Sequence, residues 1–211
     1  MFGHRGGNLG PENSLQSIRR SAEAGIDGVE IDMQLTADGR FVAHHDPLPD
    51  QPGSHAGTEA PELGAVLDLA ATTGLQLLLD VKGTGDADRE AAALADALRD
   101  TPAPVTVSSF DLPFLHRLAT VAPELPLVPI ISLRQNFWHR IEPDRWQGIS
   151  ILAAALPVRP LLWWRFGRSG GRRFIWFGVT EWPLLVRGLA RLGADGLIID
   201  DVDRGLELLG R

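Results

Sequence analysis

Short apolar runs alternate with helix-forming stretches along almost the whole chain, and that alternation limits the fold more than any other feature. Strand-like runs lie around Phe2 and at 28–33, 41–43, 75–81, 104–108, 127–131, 149–152, 174–179 and 196–199. Between them, apolar residues follow helical spacing. Leu15, Ile18 and Ala22 make a helix that Asn13 or Ser14 can cap and Gly25 ends. Further helices are predicted at 66–71, 88–99 and 114–118, and around Leu185, Leu189 and Leu192, closed by Gly193. Alternating β and α units imply a parallel sheet. The run 75–81 is polar only at Gln76 and Asp80, as expected of a strand buried on both faces.

Eight of these nine runs are expected to close a compact (β/α)8 TIM barrel, an α/β fold, with residues 1–211 as a single domain. The run 149–152 is the least regular member. Twelve residues separate Asp32 from His45, too few for a crossover helix, so a bare loop is predicted there.

A chain of 211 residues suits one well-buried domain, and 44% apolar with 22% charged residues is ordinary globular composition. A net charge of −7 argues against nucleic acid as a partner, though not against a small phosphate-bearing substrate. Without cysteine there is no disulfide, thiolate chemistry or zinc–thiolate site. That composition, with Met1 only three residues before His4, makes a cytoplasmic location the expectation. The most apolar stretch, 148–166, is broken by Pro157, Arg159 and Pro160, so no membrane span is predicted. Nothing in the sequence assigns an oligomeric state.

Four short motifs carry the chemistry: His4-Arg5-Gly6-Gly7, Glu30-Ile31-Asp32, His45-Asp46 and Asp80-Val81-Lys82. They fall at the carboxyl ends of strand-like runs, where an α/β barrel builds its active site. Residues two apart on a strand share a face, so Glu30 with Asp32, and Asp80 with Lys82, project into one lumen. Three carboxylates in one pocket need compensation, and a hard divalent cation with oxygen ligands, Mg²⁺ or Ca²⁺, supplies it. His4 and His45 can exchange protons near neutrality; His44, adjacent, should turn away by alternation, and His55, His116 and His139 are read as packing or surface residues. Arg5 and Lys82 offer positive charge to a phosphate, with Gly6 and Gly7 allowing close backbone approach. Lys82 is the single lysine among twenty basic residues, which suggests that this position needs a compact ammonium.

Those motifs, with Pro11-Glu12-Asn13-Ser14, Leu35-Thr36-Ala37-Asp38-Gly39, Ser108-Ser109-Phe110 and the stretch from Gly193 to Asp201, resemble the glycerophosphodiester phosphodiesterase family. The likeness runs end to end, in order, and is densest over residues 3–46. It implies a TIM barrel that hydrolyses glycerophosphodiesters to glycerol 3-phosphate and an alcohol. By that likeness His4 and His45 form the acid–base pair, Glu30, Asp32 and Asp80 hold the metal, and Arg5 and Lys82 contact phosphate. A glycerol hydroxyl would attack phosphorus while one histidine removes its proton and the other protonates the leaving alkoxide. The chain departs from the family pattern at Asp80, where glutamate is usual, in the short segment 46–80, and in the residues 177–181 that replace a late Trp-Thr-Val-Asn motif. Aspartate at that third position is shared with sphingomyelinase D-type headgroup hydrolases, the alternative enzyme class. A silent phosphate-binding barrel is a third class, disfavoured because binding alone needs no pair of titrating histidines.

Residues 161–177 interleave Trp163, Trp164, Phe166, Phe174, Trp176 and Phe177 with arginines. Such a stretch could meet anionic lipid peripherally; packing of the aromatics against the barrel is the favoured reading.

Overall fold

A computed structural model describes residues 1–48, 60–133, 141–158, 160–176 and 183–211. In chain order its elements are β1 (Phe2–Gly3), α1 (Leu15–Glu23), β2 (Gly28–Leu35), β3 (Phe41–Ala43), α2 (Leu63–Thr73), β4 (Gln76–Lys82), α3 (Ala87–Leu98) and β5 (Val105–Ser109). There follow α4 (Leu112–Val121), β6 (Leu127–Ile131), β7 (Gly148–Leu152), α5 (Pro160–Ser169), β8 (Arg172–Trp176), α6 (Pro183–Arg191), β9 (Gly196–Ile199) and α7 (Val202–Leu209).

The strands pair in the order β1-β9-β8-β7-β6-β5-β4-β2, and β1 also pairs β2, which closes a ring of eight parallel strands. The expected TIM barrel is therefore the fold. Strand alternation divides its interior in two. Outward residues such as Ile31, Leu79, Val107, Ile151 and Ile199 join the helices in the main core. Inward, Phe2, Leu78, Val128, Phe174 and Ile198 form a smaller plug, in which the Phe2 and Phe174 rings meet edge to face at 5.6 Å. That plug fills the bottom of the barrel and leaves the carboxyl ends of the strands to line a cavity.

Two expectations about strands need correction. The connection between Asp32 and His45 is not a bare loop between barrel members. β3 runs antiparallel on the upper half of β2, with Met33 opposite Ala43 and Leu35 opposite Phe41, outside the ring. A hairpin needs only a tight turn, and Thr36 makes it: its backbone N–H donates to the Arg40 carbonyl at 2.8 Å and its hydroxyl donates to the same oxygen at 2.8 Å. The run 149–152 is instead a full barrel strand, paired with β6 and β8. α2 and α4 extend beyond the predicted 66–71 and 114–118, and α7 follows the last strand where no helix is predicted. Asp201 caps α7, accepting from Arg204 N at 3.0 Å.

The aromatic stretch mostly packs. Leu162, Trp163, Phe166 and Phe174 are buried, while Leu161 and Trp164 are exposed. Arg172 and Arg173 lie over the Phe174 and Trp163 rings at 4.8 and 5.0 Å. Phe177 lies outside the described residues, as do the last residues of the predicted strand 174–179. Among the described residues no helix is long and apolar enough to cross a membrane.

Candidate active site

The two-residue strand β1 delivers His4 directly to the barrel mouth, where His4–Gly6 turns once as a 3-10 helix with Arg5 in the left-handed region at φ 50°. Gly6 and Gly7 are both at positive φ. A Cβ on Gly7 would meet Val202 of α7 at 2.5 Å, so these glycines let the turn pack against neighbouring helices.

Glu30 and Asp32 come from β2, Asp80 and Lys82 from β4. The two strands run in register, Asp32 beside Asp80 and Gln34 beside Lys82. His45 arrives by the hairpin: His44 N donates to the Asp32 carbonyl at 3.1 Å, and the Gln34 amide donates to the carbonyls of His44 and Asp46 at 2.8 and 2.5 Å. The strand outside the barrel thus carries the second histidine back over the mouth. His4, Arg5, Glu30, Asp32, His45, Asp80 and Lys82 together line one cavity of about 310 Å³, and His44 is not among its lining residues. His116 packs against Trp146 at 5.0 Å; His55 and His139 lie outside the described residues.

Oxygens of Glu30, Asp32 and Asp80 lie within 4.8 Å of one another, all buried. Burial, reinforced by the Asp32 charge, pushes Glu30 up to about 8. Burial also raises Asp80, more than the adjacent Lys82 ammonium lowers it. In Asp32 burial again works upward, but Lys82 and the Asn13 amide outweigh it and hold this carboxyl below the ordinary range. Lys82 Nζ is 2.7 Å from Asp32 Oδ1 and also pairs with Asp80; these carboxylates raise its pKa despite burial. Asp80 Oδ1 is buried without a hydrogen-bond partner, and Arg5 N donates to Glu30 Oε2 at 2.9 Å. A donor set of three buried carboxylates, one oxygen of it orphaned and one member held protonated for want of positive charge, fits a hard divalent cation.

Both histidines carry a carboxylate on Nδ1. His45 Nδ1 is 2.9 Å from Asp46 Oδ1, and His4 Nδ1 bonds Asp200, at the end of β9. A carboxylate there takes the Nδ1–H and leaves Nε2 to exchange protons. His4 Nε2 stands 3.8 Å from Glu30. Burial alone would lower the His4 pKa, but the Asp200 bond and the Glu30 charge raise it, and His4 in turn lowers Asp200.

Four further residues take part. Asp200 lies in the stretch from Gly193 to Asp201, but its partner His4 is 196 residues away, so no local pattern links the two. Asn13, predicted as a cap, instead holds Asp32 from both sides: Nδ2 donates to Oδ2 and Oδ1 accepts from the Asp32 N–H, each at 3.0 Å. Ser14 is the cap, accepting from Ser17 N. Phe110 and Trp176 meet edge to face at 6.1 Å and form an aromatic wall of the cavity. Asn13→Ala strips two bonds from a buried carboxylate and backbone N–H, so unfolding stability measured in urea is expected to fall by about 1–3 kcal/mol.

Comparison with known proteins agrees with this geometry. Residues 4–66 match the Glycerophosphoryl diester phosphodiesterase family. The glycerophosphodiester phosphodiesterase of Caldanaerobacter subterraneus subsp. tengcongensis is 42% identical over 52 residues, 24% of this chain and 21% of that protein. The matched stretch thus spans about a fifth of the length of such curated relatives. An Oleispira antarctica phosphodiesterase, solved in complex with the product sn-glycerol-3-phosphate, superposes with a TM-score of 0.82 at 21% identity, covering 100% of this chain and 96% of that one. A glycerophosphodiester phosphodiesterase from Thermotoga maritima gives 0.79 at 23% identity, covering 98% and 96%. These structural likenesses speak for the barrel, and the match over residues 4–66, which takes in both histidines, Glu30 and Asp32, speaks for the family. Over residues 4–66 the chain is similar to the glycerophosphoryl diester phosphodiesterase family, and over its whole length it shares the barrel of solved phosphodiesterases.

Proposed function

We propose that residues 1–211 act as one catalytic domain that hydrolyses glycerophosphodiesters to glycerol 3-phosphate and an alcohol, with one divalent cation, Mg²⁺ or Ca²⁺. The observation that carries this reading is a single cavity holding two histidines, each with Nδ1 on a carboxylate, beside a buried carboxylate triad. The product bound to the Oleispira antarctica protein supports the substrate class.

Glu30, Asp32 and Asp80 would hold the cation, which when bound supplies charge neutralisation to the phosphoryl oxygens. The Arg5 guanidinium and the Lys82 ammonium, both on the cavity wall, orient the diester and stabilise charge as it develops. One histidine takes the proton of an attacking glycerol hydroxyl at Nε2. The other donates from Nε2 to the leaving alkoxide, so that a P–O bond forms as another breaks. Water then opens the resulting cyclic phosphate with the two histidines exchanging parts. Asn13 and Asp200 touch no reacting atom in this scheme; they position Asp32 and His4. Asp200→Asn, which can present a donor to Nδ1 and so favour the wrong tautomer, is expected to lower kcat by about 10²-fold with KM little changed.

The deciding assay is release of glycerol 3-phosphate from glycerophosphocholine and glycerophosphoethanolamine with Mg²⁺, Ca²⁺ or EDTA, and with sphingomyelin in parallel. Turnover insensitive to EDTA would overturn the metal-dependent reading, and turnover of sphingomyelin alone would favour the headgroup-hydrolase class. The composition without cysteine is compatible with the cytoplasmic location proposed here. For residues 161–177 the inward packing of Trp163, Phe166 and Phe174 supports a structural role. Anionic vesicles at low salt are expected to leave the protein in the supernatant after pelleting.

A further inference from the structure

The cavity that holds the histidines and carboxylates, about 310 Å³, is not the only hollow at the barrel mouth. A second, of about 780 Å³, opens between the ends of β4 and β5 and the first turns of α4. The two share Lys82 and Phe110, so Phe110 stands as a partition with the reaction site on one side and this groove on the other. The partition is held in place: its ring meets Trp176 edge to face, and Lys82 Nζ lies 5.9 Å from its centroid.

The groove wall is apolar where it meets Phe110, through Val81, Leu112 and Pro113. Its polar groups are largely committed elsewhere. The Ser109 hydroxyl donates to the Val81 carbonyl at 2.6 Å and accepts from Asp111 N at 3.0 Å. Asp111 Oδ1 caps α4, accepting from Phe114 N at 3.1 Å. At the far end, burial and the Arg145 charge lower the His116 pKa. Among the described residues of the wall the one cation, Lys82, is already paired with Asp32 and Asp80. None of these described residues offers free positive charge, and Asp111 adds a negative one.

Resting on the phosphodiesterase reading, we propose that this groove receives the leaving alcohol and selects one with an apolar body and no negative charge. On that reading the phosphate contacts Lys82, which with Phe110 lines both hollows, so a chain leaving phosphorus past Phe110 enters the groove directly. Apolar burial favours such an alcohol, whereas an anionic one meets no counter-charge.

The test compares kcat/KM for glycerophosphodiesters of hexanol, methanol and serine under identical cation conditions. The hexyl diester is expected to exceed both others by about tenfold. His116→Arg, and independently Pro113→Arg on the exposed first turn of α4, are expected to raise kcat/KM for the serine diester by about fivefold while leaving the methyl diester unchanged. Equal values for hexyl and methyl diesters, or variants that move all three substrates alike, overturn the proposal. Should no diester be turned over, the phosphodiesterase reading fails, and binding still decides the groove. Hexyl phosphate but not methyl phosphate should shift the His116 ring resonances, assigned with His116→Asn; no shift with either overturns it.

Discussion

Replacing His4 by alanine will lower kcat by about 10³-fold, and replacing His45 will do the same, because each removes one of the two proton-transfer groups at the phosphorus site. The two variants should then separate on leaving-group chemistry. A diester of p-nitrophenol expels a weakly basic phenolate that needs no proton. The variant lacking the general acid will recover most of its rate on that substrate, and the variant lacking the base will not. Each histidine holds a carboxylate on Nδ1, and this comparison assigns the parts. If neither substitution lowers kcat more than about tenfold, histidine acid–base catalysis is wrong for this site.

Removing the divalent cation is the second large effect. EDTA is expected to lower turnover by at least about 10³-fold, with activity returning on addition of Mg²⁺ or Ca²⁺. Asp80→Asn should raise the cation concentration needed for half-maximal activity by at least about tenfold. The pH dependence follows from Glu30. Its folded pKa of about 8 lies above its ordinary value of 4.5, so folding favours the neutral form. That stabilisation is fully present below pH 4.5 and is lost as pH rises through about 8. Cation-free protein should therefore melt at progressively lower temperature across that interval. The cation binds the ionised carboxylate, so its uptake displaces a proton, and affinity should rise up to about tenfold per pH unit until Glu30 is ionised. Calorimetric titration in two buffers of different ionisation enthalpy reads the proton released near neutrality. An apparent Kd constant between pH 6 and 8 would show that cation uptake displaces no proton from Glu30.

How much of this could be read beforehand depends on the distance over which each residue acts. Glu30 with Asp32, and Asp80 with Lys82, were legible as same-face pairs because alternation along a strand is a local rule, and their strands lie side by side in register. Strand direction obeys no such rule. The short segment between Asp32 and His45 could be seen to lack a helix, but the antiparallel turn of Phe41–Ala43 onto β2 depends on hydrogen bonds around Thr36 that periodicity does not show. Likewise the aromatic stretch near residue 161 reads as uniform in sequence, yet the α5 backbone sends Trp163 inward and Trp164 outward. Of the two cap candidates Ser14 is the cap, and Asn13 is a carboxylate clamp, a role that looks the same as capping before the fold is known.

The bond between His4 and Asp200 joins the first strand of the barrel to the last, since Gly3 pairs with Ile199 across the closing seam. Closing the ring is therefore also the step that orients His4. While the chain is being made, both histidines and all three acidic residues are present once Asp80 has been added, but the partner of His4 comes only with the end of the ninth strand. A chain unfinished before Asp200 would hold its substrate-facing groups without the residue that orients one of them, so full turnover becomes a gauge of whether the ring has shut.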